Sequence, residues 1–154
     1  MQKITIRDIQ KFKDQRTPFA TVTAYDYVSA RIADAVEIPL LLVGDSAAMV
    51  VYGMDTTIPI SMEEMIFLVR AVCRGSNKSL VVADMPFMSY QASVEDAVRN
   101  AGRFVKEGGA EAVKLEGGRA YTAQIKAIID AGIPVIGHIG LLPQSFHLSS
   151  GYRI

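Results

Sequence analysis

Two kinds of apolar pattern alternate along the chain. Short, mostly apolar runs occupy residues 40–43 (LLLV), 79–83 (SLVVA), 110–115 (AEAVKL) and 134–137 (PVIG), and residues 19–23 (FATVT) are rich in the β-branched types that favour strands. Between them the spacing becomes helical. Met62, Met65, Ile66, Val69 and Val72 recur at three- and four-residue intervals, behind a Ser61-x-x-Glu64 capping box and ahead of a stop at Gly75. Ser93 with Asp96 opens a second capped helix that runs to Gly108 and Gly109. Residues 120–131 form a third helix, ended by Gly132. Thr5 opens a short amphipathic helix to about Lys13, and residues 27–36 read as another. Residues 46–60, with Gly53 and Pro59 inside, read as a loop.

The resulting order is β-α-β-α-β-α-β-α-β, preceded by a helix. Such alternation implies parallel strands joined by crossover helices. Runs that are apolar at every position imply a sheet covered on both faces. Two architectures satisfy this: an open doubly wound sheet and a (β/α)8 barrel.

The polar residues at the strand ends separate them. After the first strand come Tyr25 and Asp26, after the second Asp45 and Ser46, and after the third Asp84. The fourth runs through Lys114 into Glu116, and the fifth ends at His138. In a parallel sheet the carboxyl ends share one edge, where barrel enzymes keep their active sites. Convergence from five successive strands favours the barrel, because an open sheet gathers ligands at its single switch point.

Charge and composition narrow the chemistry. The 154 residues carry 16 basic and 16 acidic side chains, so the chain has no electrostatic footprint for nucleic acid. Its one cysteine, Cys73, cannot form an internal disulfide. It reads as a small packing residue in a helix and suits a reducing, cytoplasmic compartment. The first residues, MQKITIRDIQKFK, are too polar for a signal peptide, and no apolar run approaches the roughly 18 residues of a membrane span. The seven methionines fall mostly at packing positions. A Walker A loop, a GxGxxG after a strand and a GxSxG elbow are all missing from the sequence.

Three carboxylates at the strand ends, Asp45, Asp84 and Glu116, would repel one another without a cation among them. An all-oxygen set selects a hard ion such as Mg²⁺. Lys114 and His138 add an ammonium and an imidazole, a combination that suits an enolate made from a 2-oxo acid. Each residue also has a plainer role. Asp45 after Gly44 could cap a turn, Asp84 before Met85 and Pro86 could belong to a loop, and Glu116 could sit at a helix N-terminus. His138 could be a satisfied core histidine, and Tyr25 and Asp26 could shape the first loop. Lys114 is the hardest to explain this way, since an ammonium in an apolar strand needs a partner. His147 reads as a loop residue.

With these residues in view, the chain resembles the ketopantoate hydroxymethyltransferase family. The likeness rests on TAYDY at 23–27, LLVGDS at 41–46, ADMPFMSY at 83–90, AVKLEGG at 112–118 and GHIGLLPQS at 137–145. The resemblance implies a (β/α)8 barrel. It implies Mg²⁺ held by Asp45 and Asp84, with Glu116 contributing directly or through water. Ser46 and Tyr25 would bind the 2-oxo acid, and Lys114 and His138 would act on it as catalytic residues. The implied reaction moves a one-carbon unit from 5,10-methylenetetrahydrofolate to 3-methyl-2-oxobutanoate, in a homo-oligomeric enzyme. There are two departures from the family's pattern: Ala47-Ala48 where Leu-Gly is common, and Leu142 where Thr is usual. Five strands make only part of a barrel, which needs eight and typically ~250 residues. The sequence therefore reads as one domain, residues 1–154, forming the N-terminal portion of a barrel. The general-base glutamate expected from the family would lie beyond Ile154, and the chain by itself is expected to be inactive. The alternatives are another Mg²⁺-dependent enzyme of the phosphoenolpyruvate mutase and isocitrate lyase group, or a non-catalytic partial barrel.

Overall fold

The computed structural model describes residues 2–145. The loop assignment of His147, and of the residues after it, lies outside the described residues. The helix α1 (Ile6–Asp14) precedes β1 (Thr21–Thr23), α2 (Tyr27–Ala35), β2 (Leu40–Val43), a four-residue helix α3 (Ala47–Val50) and α4 (Met62–Gly75). There follow β3 (Leu80–Asp84), α5 (Val94–Arg103), β4 (Ala112–Glu116), α6 (Thr122–Asp130) and β5 (Val135–His138).

The five strands form one parallel sheet in the order β1-β2-β3-β4-β5. The order never reverses, so there is no switch point of the doubly wound kind. The two faces are also unequal. Leu41, Val43, Val81, Ala83, Val113 and Leu115 point to one side and are buried under α2, α4, α5 and α6. Leu40, Leu80, Val82 and Ala112 point to the other, where α1 and its flanks cover them with Ile4, Ile6, Ile9 and Phe19. Crossover helices on one side of a sequentially ordered parallel sheet are the arrangement of a (β/α)8 barrel, with α1 closing the amino-terminal end of its interior.

Because side chains alternate across a strand, residue parity decides which side chains enter the interior. The register pairs Leu42 with Val82, Asp84 with Lys114, Lys114 with Ile136 and Glu116 with His138. All of these lie on the inner face. Apolar residues fill its lower part, around a groove of about 480 Å³. The ionisable ones stand at its carboxyl end.

Several boundaries differ from those the pattern predicts. The last three strands end one residue later, so Asp84, Glu116 and His138 belong to strands rather than to the loops after them. The stretch 46–60 is not all loop. Ala47 and Ala48 are fully buried, and the backbone from Gly44 to Val51 closes helical hydrogen bonds around them. The helix opened by Ser93 changes winding after Arg103, and residues Phe104–Gly108 form a π-helical turn. That turn seats Phe104 in the core and brings Gly108 against α4, where a Cβ would lie 2.8 Å from Val69 Cγ1. Residues 118–121 begin the last helix as a 3₁₀ turn. The first strand loses Phe19, whose ring packs 5.1 Å from that of Phe12 on α1. Finally β1 is exposed throughout and β5 half-buried, unlike the strands between them, because each has a single strand neighbour among the described residues.

Candidate functional site

The carboxyl ends of β2, β3, β4 and β5 bring Asp45, Asp84, Lys114, Glu116 and His138 into one cluster. Asp45, Asp84 and Glu116 are at most 5% exposed. Lys114 Nζ donates to both oxygens of Asp84 at 2.8 Å. That answers the question posed by an ammonium in an apolar strand: Val113 and Leu115 face the helices, and Lys114 faces inward to the neighbouring strand's carboxylate. The backbone N–H of Asp45 donates to Asp84 Oδ2 at 3.2 Å, joining the tips of β2 and β3.

The electrostatics follow from burial. Burial pushes the Asp84 carboxyl above its usual range and the charge of Asp45 adds to this, while the Lys114 ammonium pulls the other way. Glu116 is raised for the same first reason, with Asp45 adding and the Gln144 N–H opposing. Burial and the nearby Lys114 charge lower the pKa of His138, which favours a neutral imidazole. His138 Nδ1 is buried, has no hydrogen-bond partner among the described residues and lies 3.6 Å from Glu116 Oε2, too far for a bond.

At the edge of the cluster, the Tyr25 hydroxyl lies 2.9 Å from Ser46 Oγ. Gly44 makes room for this pair, since a Cβ there would come 2.8 Å from Ser46 Oγ. Asp26 takes the plainer of its two roles. Its Oδ1 accepts the Ser29 N–H at 2.8 Å and caps α2.

Two residues of this cluster are not found by reading strand tips. Gln144, 6% exposed, donates from Nε2 to Asp45 Oδ2 and to the Met85 carbonyl, both at 2.9 Å. Its backbone N–H donates to Glu116 Oε1 at 2.7 Å. Tyr90, fully buried, places its hydroxyl 2.9 Å from Gln144 Oε1 and 3.0 Å from the Glu116 carbonyl. Both residues stand inside the motifs ADMPFMSY and GHIGLLPQS, but Tyr90 in the loop after β3 and Gln144 in a 3₁₀ turn (Pro143–Ser145) after β5, where no apolar run points to them.

The donor chemistry fits a hard divalent cation. Three buried carboxylates face one ammonium and an imidazole held neutral, which leaves formal negative charge uncompensated. Asp45 Oδ1 accepts no hydrogen bond among the described residues and is free to bind. No group of three or more His, Cys, Asp or Glu converges at ligand distance among the described residues. A cation here would therefore draw on a carboxylate pair, and on water or substrate oxygens for the rest, as Mg²⁺ commonly does.

Buried acids, an ammonium and an imidazole on the carboxyl ends of parallel strands, with all crossover helices outside, define a site of the (β/α)8-barrel class. Among solved structures, the fold is similar to a phosphonopyruvate hydrolase crystallised with oxalate and Mg²⁺. The TM-score is 0.70 at 14% identity, over 96% of this chain and 56% of that one. It is also similar to 2,3-dimethylmalate lyase, a member of the phosphoenolpyruvate mutase/isocitrate lyase superfamily, with TM-score 0.66 at 20% identity over 85% of this chain and 51% of that one. At such identities the likeness speaks for the fold alone. Sequence speaks for more. Residues 3–154 match the family described as ketopantoate hydroxymethyltransferase. A 3-methyl-2-oxobutanoate hydroxymethyltransferase of Frankia alni is 55% identical over 152 residues, 99% of this chain and 50% of its own length. One of Carboxydothermus hydrogenoformans is 54% identical over 154 residues, 100% of this chain and 56% of its own length. The chain belongs to the ketopantoate hydroxymethyltransferase family, and it spans about half the length of these curated relatives.

Proposed function

We propose that this chain supplies the 2-oxo acid site of a 3-methyl-2-oxobutanoate hydroxymethyltransferase, which takes its one-carbon unit from 5,10-methylenetetrahydrofolate. The observation that carries the reading is the buried Asp45–Asp84 pair, joined to Lys114 at the strand tips, in a chain about half identical to enzymes of that name. Asp45 and Asp84 would hold Mg²⁺, which when bound polarises a 2-oxo group and acidifies the C–H beside it. Glu116, whose Oε1 accepts the Gln144 N–H, would contribute directly or through water.

The chain's own residues do the rest. Ser46, steadied by the Tyr25 hydroxyl, would donate to the substrate carboxylate. The Lys114 ammonium lies beside the carboxylate pair, where it stabilises negative charge growing on the substrate oxygen. His138, neutral and with a buried ring nitrogen unpartnered among the described residues, would donate to or accept from the same substrate. Burial of the acids keeps water from weakening these interactions. The general base, by family resemblance a glutamate, would come from the part of the relatives that this chain does not span.

The reading carries a cytoplasmic location and a homo-oligomeric assembly with it. Burial pushes the Cys73 thiol up to about 11, which suits a packing role. No helix among the described residues is long and apolar enough to cross a membrane. The test uses full-length protein with Mg²⁺, 3-methyl-2-oxobutanoate and 5,10-methylenetetrahydrofolate, and follows 2-dehydropantoate by mass spectrometry. Product formation that requires both the folate and Mg²⁺ is the expected result. Cleavage of a 2-oxo acid skeleton without folate would point to the lyase alternative, and no turnover of any kind to the non-catalytic one.

A further inference from the structure

We infer that Gln144 is the positioning residue of this site: its side-chain amide aims the Asp45 carboxylate, and its backbone N–H fixes Glu116. The inference rests on the Mg²⁺-dependent reading above.

The geometry is that of a saturated amide. A glutamine side chain offers two donors and two acceptor lone pairs. Here Nε2 donates to Asp45 Oδ2 and the Met85 carbonyl, while Oε1 lies 2.9 Å from both the Tyr90 hydroxyl and Gln91 Nε2. The surroundings allow one orientation. Turned over, the amide oxygen would face a carboxylate and a carbonyl, and its NH₂ would face the NH₂ of Gln91. The partners belong to the tips of three strands: Asp45 after β2, Met85 after β3 and Glu116 at the end of β4. One buried residue therefore ties together, through its side chain to Asp45 and Met85 and its backbone N–H to Glu116, elements that are otherwise joined at this level by the Asp45–Asp84 and Lys114–Asp84 bonds.

The consequence for Asp45 is directional. With Oδ2 held by Gln144, the carboxylate cannot rotate freely, and Oδ1 is the oxygen left without a hydrogen bond among the described residues. Tyr90 locks the arrangement from behind. Burial pushes its phenol up, so it stays protonated. Its hydroxyl also accepts the Glu116 backbone N–H at 3.3 Å. Groups that orient a ligating carboxylate typically matter 10- to 100-fold in metal affinity.

The test compares Gln144→Met and Tyr90→Phe with the parent in the full-length protein. Mn²⁺ binding is measured by electron paramagnetic resonance, thermal unfolding by circular dichroism, and kcat at saturating Mg²⁺. Methionine keeps the length and volume of glutamine and removes its donors. In Gln144→Met the Mn²⁺ Kd should rise about 10- to 100-fold. Tyr90→Phe, which keeps the amide but releases its oxygen, should raise it less, by about 3- to 10-fold. A role in packing alone would shift unfolding in both variants and leave the Kd where it was. A Kd within twofold of the parent in Gln144→Met overturns the inference. If that variant does not fold, an unchanged Kd in Tyr90→Phe overturns it equally. A parent protein that turns over substrate but needs and binds no divalent ion removes the metal reading, and this inference with it.

Discussion

Lys114 and Asp34 are both charged residues placed where apolar neighbours predominate, and both are explained by what they touch. Lys114 faces Asp84 across one strand pairing. Replacing it with Met would leave a buried carboxylate beside Asp45 with no counter-charge, a change that should cost about 3 kcal/mol. Urea denaturation should read that loss, and kcat should fall by at least about a hundredfold with it. Asp34 lies near the opposite, amino-terminal end of the sheet. Its Oδ1 accepts from the backbone N–H groups of Lys78 and Ser79 at 2.7 and 2.9 Å, and from the Ser76 hydroxyl at 3.1 Å, fixing the turn into β3. Burial alone would raise its carboxyl, but these donors prevail and hold it at about 2. A depressed folded value means that the stabilisation is present above the unfolded pKa near 4 and disappears as pH falls through about 2. Asp34→Asn should therefore cost about 2 kcal/mol at pH 7, and its gap from the parent should close between pH 4 and 2. Urea titrations at three pH values would show it; a gap independent of pH would refute it.

At the scale of elements, α4 carries the most local instruction. Its Ser61 Oγ accepts the Glu64 N–H at 3.2 Å, and Glu64 Oε2 takes the Ser61 N–H at 2.8 Å, a reciprocal cap that the spacing Ser-x-x-Glu spells out by itself. Ser61→Ala should lower stability by about 1 kcal/mol and reduce the melting temperature by a few degrees, with the site intact. The π-helical turn at the end of α5 shows the reverse. Nothing in the spacing of residues 93–108 announces it. It follows from seating Phe104 in the core while Gly108 meets Val69.

At the scale of the molecule, the sheet of residues 2–145 is open. β1 and β5 each have one strand neighbour among the described residues, and α2 with its C-cap residue presents Val28, Ile32 and Val36 at 63–68% exposure. Unpaired edges and apolar helix faces promote association. Residues 1–154 prepared as an isolated polypeptide should self-associate at micromolar concentration and show no turnover. Light scattering coupled to gel filtration would check the first, and a clean monomer would count against it.

The alternation of strand and helix, the caps and the ionisable strand tips were legible in the sequence because each is written within a few residues: a period, a capping pair, a charge after an apolar run. Asp45, Asp84, Lys114, Glu116 and His138 could be nominated in this way, since parallel strands must align their carboxyl ends. What the sequence left open was everything set by pairing across distance. The alternation alone fitted both barrel and doubly wound sheet; the charged strand tips favoured the barrel, and the strand order and the one-sided helices bear that out. The bond from Gln144 to Asp45 spans 99 positions in the chain, and that from Ser79 to Asp34 spans 45. No local period records such partners. They are decided when packing brings particular strand ends and turns together, and burial then requires each polar group to find the donor or acceptor beside it.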